Sequence, residues 1–235
     1  TFYRLERDSQ YAPLVRQILG AATDASDDAS NELVRDGERL REIRERRARA
    51  AADYFQHIAA DWDRVRNLHV PDEAIEDALA DLLSTEQPEH LLDLGTGTGR
   101  VLELAGPHVR SGIGVDSSRD MLAVARDKLE RNGLQHCHVR LGDIHNLDVA
   151  ANAVDMAVMH HVLHFLDEPD RAILEAARTV RPDGLLVIVD FAPHALEVLR
   201  EECNHVRLGY DTTEIESWCH AAGLGRLTVR HFAPT

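Results

Sequence analysis

The sequence has 235 residues, of which 44% are hydrophobic and 29% are charged, a composition that excludes a disordered or fibrous chain. No apolar run approaches the roughly 20 residues of a membrane-spanning helix, and the N-terminal TFYRLERDSQ lacks the apolar core of a signal peptide. The formal net charge of −15 argues against a nucleic-acid-binding surface, because binding to phosphates needs a basic face.

The N-terminal part of the chain carries helical patterns. Residues 30–67 predict a long amphipathic helix or a pair of helices, because apolar residues recur at helical spacing on an Arg- and Glu-rich background. These residues are Leu33, Leu40, Ile43, Ala50, Tyr54, Ile58, Trp62 and Val65. PDEAIEDALADLL predicts a further helix, with Pro71 at its start. We expect the long stripe to pack on the rest of the chain or on a second copy, which makes it a candidate homodimer interface.

From about Glu89 onward, short apolar runs alternate with helical patterns. In chain order these are strand HLLDL, helix RVLELAG, strand SGIGVD, helix RDMLAVARDKLERNG, strand HCHVRLGD, strand VDMAVMH, helix EPDRAILEAARTVRP, strand GLLVIVDF, helix TTEIESWCHAAG and strand RLTVRHF. The alternation predicts an α/β fold with a mostly parallel sheet covered on both faces, and the unbroken hydrophobicity of GLLVIVDF is typical of a central strand.

Three glycines follow the first of these strands at every second position. Gly95, Gly97 and Gly99 allow a sharp turn into a helix and a close approach of the backbone to a ligand. A phosphate loop of the GxxxxGK type is absent, and the dinucleotide pattern GxGxxG fails at Arg100. Asp93 lies inside the strand, where a fixed carboxylate would repel a pyrophosphate and suit a ligand with an ammonium group.

Two further carboxylates follow the next two strands. Asp116 ends SGIGVD, where an acid can accept hydrogen bonds from both ribose hydroxyls. Asp143 ends the third strand, where a carboxylate can accept from an exocyclic adenine amine. Any one of these acids could instead be a helix cap, but three in register at successive strand ends favour a nucleotide-type ligand.

From about Pro88 onward the sequence resembles the class I S-adenosylmethionine-dependent methyltransferases. LLDLGTGTG, GVDSSRDML and GDIHNL are similar to three successive motifs of that family, and residues 154–190 are similar to its fourth and fifth strands. The resemblance implies a doubly wound, seven-stranded, Rossmann-like sheet, with S-adenosylmethionine as cofactor and S-adenosylhomocysteine as product. The family's Pro-Gly-Gly turn is Pro182-Asp183-Gly184 here, a departure that Asp tolerates.

The resemblance also assigns cofactor-binding residues. Asp93, Gly95 and Gly97 would surround the methionine part, with Thr96 in the same loop. Asp116 would hold the ribose, with Ser117 beside it. Met121 or Ile144 would flank the adenine, Asp143 would read its amine beside Gly142, and His160 would lie near the sulfonium.

Residues 1–29 resemble the wing strand and last helix of an ArsR-type winged-helix domain, in TFYRL and YAPLVRQILG. AADYFQHIAADWDRVRNLHVP is similar to the segment that joins such a domain to a methyltransferase domain in fused regulators. The alternative to this interpretation is an ordinary helical lid. We therefore predict three parts: a winged-helix remnant over 1–29, a helical linker or lid over 30–87, and a methyltransferase domain over 88–235 whose last strand is missing.

Several residues are candidates for chemistry. MHHVLHF places His161 and His164 at the active-site edge as candidate general bases, and Asp190 and His194 face the same rim. Tyr54, Phe55 and Trp62 are candidates for a lid, although aromatic residues at helical spacing also build plain core.

Metal binding is not expected, because HHVLH crowds its histidines into one turn without a carboxylate partner. Cys137, Cys203 and Cys219 are scattered and odd in number, which favours a reducing, cytoplasmic location. Their placement in a strand and in helical patterns argues against an arsenite methyltransferase.

The sequence thus predicts a methyltransferase that acts on an unidentified small-molecule acceptor. The alternative is a domain of an ArsR-type regulator that senses S-adenosylmethionine or S-adenosylhomocysteine with little or no turnover. In neither case does this portion bind a membrane or nucleic acid itself; DNA would be bound only through a missing upstream domain.

Overall fold

The computed structural model describes residues 34–43, 46, 54–55, 58–59 and 73–232. The chain divides into two compact units, Thr1–Arg49 and Ala50–Thr235. In the first unit residues 34–43 are helical, as predicted for the start of the amphipathic stretch. The predicted winged-helix remnant over 1–29, Pro71 and the lid candidate Trp62 lie outside the described residues. No helix in the described part of the chain is long and apolar enough to span a bilayer.

The second unit is built from alternating helices and strands, as the sequence predicts. The helices are α1 (Glu73–Glu86), α2 (Arg100–Ala105), α3 (Arg119–Arg131), α4 (Pro169–Thr179), α5 (Glu197–Glu202) and α6 (Thr212–Ala221). The strands are β1 (His90–Leu94), β2 (Ser111–Asp116), β3 (Cys137–Leu141), β4 (Val154–His160) and β5 (Val180–Val189). Short 3-10 turns cover Gly106–His108 and Leu163–Phe165.

The five strands form one parallel sheet in the order β3-β2-β1-β4-β5. The chain runs outward from β1 through β2 to β3 and then returns to the other side of β1 with β4. In open α/β sheets the point where the strand order reverses leaves a crevice beyond the carboxyl ends of the strands. The crevice between β1 and β4 is therefore where this topology places a ligand.

Both faces of the sheet are buried, because successive residues of a strand point to opposite faces. Leu91 packs with Leu83 of α1 and Leu102 of α2 on one face. Its neighbour Leu92 packs with the core on the opposite face, which includes Ile173 of α4. Apolar residues at consecutive positions of β1 thus serve two cores.

Arg100, the residue that breaks the dinucleotide pattern, has a structural contact. Its guanidinium donates to both carboxylate oxygens of Glu76, at 2.8 and 2.5 Å, and so links the start of α2 to α1. A bidentate pair of this kind fixes the orientation of both helices.

The predicted seven-stranded sheet is not what the described residues form, since they contain five strands. RLTVRHF is irregular over residues 226–232, and Val229 in it is exposed. A strand forms where its apolar side chains are buried against a neighbour, and this segment buries few of them. The prediction of a strand at RLTVRHF was wrong.

GLLVIVDF is also placed differently from the prediction. It belongs to β5, which lies at the edge of the five-stranded sheet with half-buried residues rather than at the centre. The strand begins at Val180, whereas the sequence pattern extends the preceding helix to Pro182. Residues 182–184, predicted to form a turn, lie within β5 and interrupt its regular geometry. Asp183 has a φ of 64°, and the pairing of β5 with β4 shifts its register.

Candidate functional site

The glycine loop follows β1 and enters α2 through a left-handed backbone. Gly95, Gly97 and Gly99 have φ angles of 70°, 51° and 83°, a region that favours glycine. The N–H groups of Gly95 and Thr96 both donate to the carbonyl of Val115 at the end of β2. A Cβ atom on Gly95 would lie 2.5 Å from a methyl group of Val162, so the loop also requires a residue without a side chain here.

Asp93 is almost fully buried at the end of β1, beneath the glycine loop. One of its carboxylate oxygens accepts a hydrogen bond from the hydroxyl of Thr96 at 2.5 Å. Burial raises the pKa of Asp93 to about 7. The hydrogen bond from Thr96 acts to lower this pKa, and the negative charge of Asp116 acts to raise it. A buried carboxyl that titrates near neutrality is well matched to a cationic ligand group, which would favour its charged form.

Asp116 ends β2 and closes the loop from the other side. Its Oδ2 atom accepts from the N–H of Gly97 at 2.8 Å, and its Oδ1 atom accepts from the N–H of Ser118 at 2.8 Å. Burial raises the pKa of Asp116, and backbone N–H groups of Ser118, Gly97 and Ser117 partly offset that effect. A carboxylate offers about four lone-pair positions, so Asp116 can still accept from a ligand hydroxyl.

The residues after Asp116 build the start of α3. The hydroxyl of Ser118 accepts from the N–H of Met121 at 3.3 Å and caps the helix. Met121 is buried and Ser117 is exposed. The side chain of Ser118, and not that of Asp116, therefore caps α3. The Asp116 carboxylate contacts the glycine loop and is available to a ligand.

Asp143 and Ile144 follow β3 at the same edge of the sheet. Gly142 donates its N–H to the carbonyl of Asp116 at 3.0 Å, which ties this turn to the end of β2. The exposed Asp143 carboxylate accepts from the N–H of His145 at 2.9 Å, a turn contact and not a helix cap, since residues 142–153 contain no helix. Ile144 is half-buried against the core.

A cluster of histidine and aromatic rings lies beyond the carboxyl ends of β4 and β5. His160 is the last residue of β4, and its ring centroid lies 4.5 Å from that of His161. His161 has a left-handed φ of 57°, which turns the chain away from the sheet. Val162 then contacts the glycine loop at Gly95, so the cluster and the loop are neighbours.

His164 is held by a buried carboxylate. Its Nδ1 atom lies 2.8 Å from Oδ1 of Asp190, and the two side chains are 2% and 5% exposed. The Asp190 carboxylate also accepts from the N–H groups of Leu163 and Phe191, each at 2.9 Å. Burial alone would raise the pKa of Asp190, but the charge and hydrogen bond of His164, the charge of His161 and the N–H of Phe191 lower it overall.

His205 was missed by the sequence interpretation. Its ring stacks on that of His164, with centroids 4.1 Å apart, and it is 7% exposed. The segment that carries it is anchored by the N–H of Val206, which donates to the carbonyl of His164 at 2.8 Å. This segment is irregular and has no hydrophobic period, so no signal in the sequence could have placed His205 beside His164.

Two of the three predicted lid residues are described. The ring of Phe55 meets that of Phe165 edge to face with centroids 5.0 Å apart, and Tyr54 lies against Phe55. Burial and the nearby Cys203 raise the pKa of Tyr54. Phe55 thus contacts Phe165 of the ring cluster, and a lid role for Phe55 stays a prediction.

The described residues of the site supply carboxylate, imidazole and hydroxyl groups. Among the residues that the structure describes, no group of three or more His, Cys, Asp or Glu side chains could hold a metal ion. Cys137, Cys203 and Cys219 are all buried as free thiols.

Comparison with known proteins finds similarity to methyltransferases over the middle of the chain. Residues 92–188 match the family model described as a methyltransferase domain. The chain is 27% identical over 128 residues to the uncharacterised methyltransferase YcgJ of Bacillus subtilis, covering 54% of this chain and 51% of that protein. It is 37% identical over 101 residues to phosphatidylethanolamine N-methyltransferase of Cereibacter sphaeroides, covering 43% and 49%.

Solved structures share the fold. A SAM-dependent methyltransferase from Thermotoga maritima superposes with a TM-score of 0.57 at 23% identity, covering 74% of this chain and 80% of that one. The chain spans about half the length of YcgJ and of the Cereibacter enzyme. These matches concern methyltransferases and give no support to the predicted winged-helix regulator.

Proposed function

We propose that this chain, whose residues 92–188 match the model of a methyltransferase domain, is an S-adenosylmethionine-dependent methyltransferase that transfers a methyl group to a small-molecule acceptor. The observation that carries the proposal is the pair of carboxylates, Asp93 and Asp116, on the two sides of the glycine loop. Asp93 lies in β1, beside the β1–β4 crevice where the strand order reverses, and Asp116 ends β2 on the other side of β1.

The chemistry of the donor set fits the cofactor. Asp116 can still accept from the ribose hydroxyls beside its bonds from the N–H groups of Gly97 and Ser118. Asp93, with a pKa near 7, would become fully charged beside the ammonium group of the methionine part. A pyrophosphate in the same place would meet both carboxylates and be repelled.

When bound, S-adenosylmethionine supplies an electrophilic methyl group on a sulfonium. The chain itself holds the two partners in line and excludes water, which is most of what methyl transfer requires. We expect Phe55, whose ring meets that of Phe165 edge to face, to help exclude water from the site. His164 is the base that this geometry favours over His161, because Asp190 fixes the orientation of its ring.

Isothermal titration calorimetry with three ligands tests the proposal. S-adenosylmethionine and S-adenosylhomocysteine should each bind saturably, whereas a nicotinamide dinucleotide should not. Saturable binding of NAD without any response to S-adenosylhomocysteine would overturn the assignment and return the glycine loop to the dinucleotide class.

A further inference from the structure

The glycine loop is supported by different contacts on its two sides. On the side of β2, the N–H groups of Gly95 and Thr96 donate to the carbonyl of Val115. On the side of β4, the loop meets the side chain of Val162, one of whose methyl groups would lie 2.5 Å from a Cβ atom on Gly95. Hydrogen bonds have a preferred direction, whereas an apolar contact has none. The position of the second contact is therefore set by the backbone of Val162.

The turn after β4 holds this backbone through the next residue, Leu163. The N–H of Leu163 donates to Oδ2 of Asp190 at 2.9 Å. The carbonyl of Leu163 accepts from the hydroxyl of Tyr210 at 2.6 Å. The same carbonyl accepts from the N–H of Leu166 at 2.9 Å within the 3-10 turn. Val162 is thus held by one side chain that follows β5 and by another that precedes α6.

Tyr210 is itself fixed by its neighbours. It is buried, and its N–H donates to the carbonyl of Phe191 at 2.9 Å. Its ring meets that of Trp218 in α6 edge to face, with centroids 5.6 Å apart. The guanidinium of Arg207 lies over the Tyr210 ring at 4.6 Å and pairs with both carboxylate oxygens of Glu214. These contacts give the Tyr210 hydroxyl a defined position.

The hydroxyl of Tyr210 acts as a donor in a place without bulk water. Burial, the largest effect, and the negative charge of Asp190 raise the pKa of Tyr210, against the charge of Arg207. The phenol therefore keeps its proton at neutral pH and donates to the carbonyl. Leu163 is fully buried, so bulk water cannot take the place of the hydroxyl when it is removed.

We propose that Tyr210 is a positioning residue for cofactor binding: its hydroxyl holds the turn at Leu163 so that Val162 keeps the glycine loop in its binding conformation. Its effect passes through Leu163 and Val162. Glycine has many accessible backbone conformations, so contacts on both sides of Gly95 are needed to favour one of them. This inference rests on the proposed function and adds a residue to its cofactor site.

Calorimetry of S-adenosylhomocysteine binding to the full chain and to Tyr210→Phe tests the inference. The variant keeps the ring and removes only the hydroxyl. Its affinity for S-adenosylhomocysteine should be lower roughly 3- to 10-fold, the range for one neutral hydrogen bond. The titrations are made well below the unfolding temperature of every variant, so that a loss of stability does not itself reduce binding.

Thr179→Val is the matched control. Thr179 is buried, and its hydroxyl donates to the carbonyl of Ala176 at 2.7 Å. Thr179 precedes β5 whereas Asp190 follows it, so the length of the strand separates this hydroxyl from the turn. The control should also lower the free energy of unfolding, but its affinity for S-adenosylhomocysteine should equal that of the native chain. An equal loss of affinity in Thr179→Val and Tyr210→Phe would overturn the inference.

A double-mutant cycle with Val162→Ala tests the path of the effect. Val162→Ala alone should lower the affinity for S-adenosylhomocysteine, because it removes the methyl groups that contact Gly95. In that background Tyr210→Phe should lower the affinity further by about 2-fold or less, since the side chain through which Tyr210 acts has been truncated. The same fold-change in both backgrounds would contradict an effect that passes through Val162.

The outcomes separate the two proposals. A native chain that binds S-adenosylhomocysteine, with unchanged affinity in Tyr210→Phe, would overturn the role of Tyr210 alone. A native chain that does not bind S-adenosylhomocysteine would overturn the proposed function on which that role rests.

Discussion

Nδ1 of His164 lies 2.8 Å from a carboxylate oxygen of Asp190, and both side chains are buried at the carboxyl ends of neighbouring strands. β4 and β5 pair in parallel up to His160 and Val189, so the segments that follow them leave the sheet side by side. The pairing therefore follows from the register of the two strands. It gives one histidine of the cluster a fixed tautomer.

Asp190→Asn should reverse that tautomer. The amide group can donate to Nδ1, which then becomes the acceptor, and the proton of the neutral ring moves to Nε2. The ¹⁵N chemical shifts of His164 report which nitrogen is protonated. Asp211→Asn, at the exposed start of α6, serves as the matched control. An unchanged His164 tautomer in Asp190→Asn would show that Asp190 does not set it.

Binding of S-adenosylhomocysteine should release protons near neutral pH. Asp93 has a pKa of about 7 in the free chain, and an ammonium group beside it favours the charged form, so binding deprotonates it. Release should be roughly half a proton at pH 7 and approach one proton near pH 6, and affinity should rise with pH up to about 7 and then level off.

Calorimetry in buffers of different ionisation enthalpy measures this release. Asp93→Asn keeps the shape of the side chain but cannot titrate, so its binding should release no proton in this range. Equal proton release from the native chain and the variant would assign the linkage to another group.

His205 should make the fold sensitive to acid. Its pKa is about 3 in the folded chain and about 6.5 in the unfolded chain, so below pH 6.5 the unfolded state binds the extra proton. The stability that the neutral ring provides is present above about pH 6.5 and is lost as pH falls toward 3. At pH 5 the loss should be about 2 kcal/mol relative to pH 7.

Urea unfolding of the native chain and of His205→Phe, at pH 7 and at pH 5, measures this contribution. The variant should lose about 2 kcal/mol less than the native chain between the two pH values. Asp93 titrates in both proteins and in the opposite direction, since its raised pKa favours the folded state as pH falls. Its contribution cancels in the difference. Parallel losses in the two proteins would contradict the burial of a neutral His205.

Gly95→Ala should lower the free energy of unfolding by more than the cost of placing alanine at a left-handed φ angle. Gly133 has a similar φ of 69°, and a Cβ atom added there would have no other atom within 4 Å, so Gly133→Ala isolates the cost of the left-handed backbone. At Gly95 the added methyl group also meets Val162, whose β-branched side chain cannot easily rotate away. The extra cost should be about 1–3 kcal/mol in the free energy of unfolding.

The pair Gly95→Ala and Val162→Ala forms a double-mutant cycle for this contact. Val162→Ala should recover part of the loss that Gly95→Ala causes, because it removes the methyl group that clashes. Strictly additive effects of the two substitutions would mean that the loop and the cluster do not touch at this point.

Much of this site could be predicted from the sequence, because its residues lie at the ends of predicted strands. Asp93, Asp116 and Asp143 each follow a run of apolar residues, and parallel strands bring their carboxyl ends to one edge. His164 and Asp190 were placed at the same rim for the same reason. Their roles toward a cofactor and an acceptor stay predictions until a ligand is measured.

What the sequence could not show depends on long-range packing. His205 reaches His164 through an irregular segment whose position is set by backbone hydrogen bonds to residues about forty positions away. RLTVRHF alternates like a strand but leaves Val229 exposed, because a local pattern cannot say whether a neighbouring strand edge is available.

The affinity for S-adenosylhomocysteine of the native chain and of Asp116→Ala tests the central claim most directly. The variant removes a charged acceptor for the ribose hydroxyls, so calorimetry should show affinity lowered roughly 10- to 100-fold. Asp148→Ala, at an exposed position, should bind as the native chain does. An Asp116→Ala variant that binds S-adenosylhomocysteine with unchanged affinity would contradict the account and reduce Asp116 to a residue that only shapes the turn.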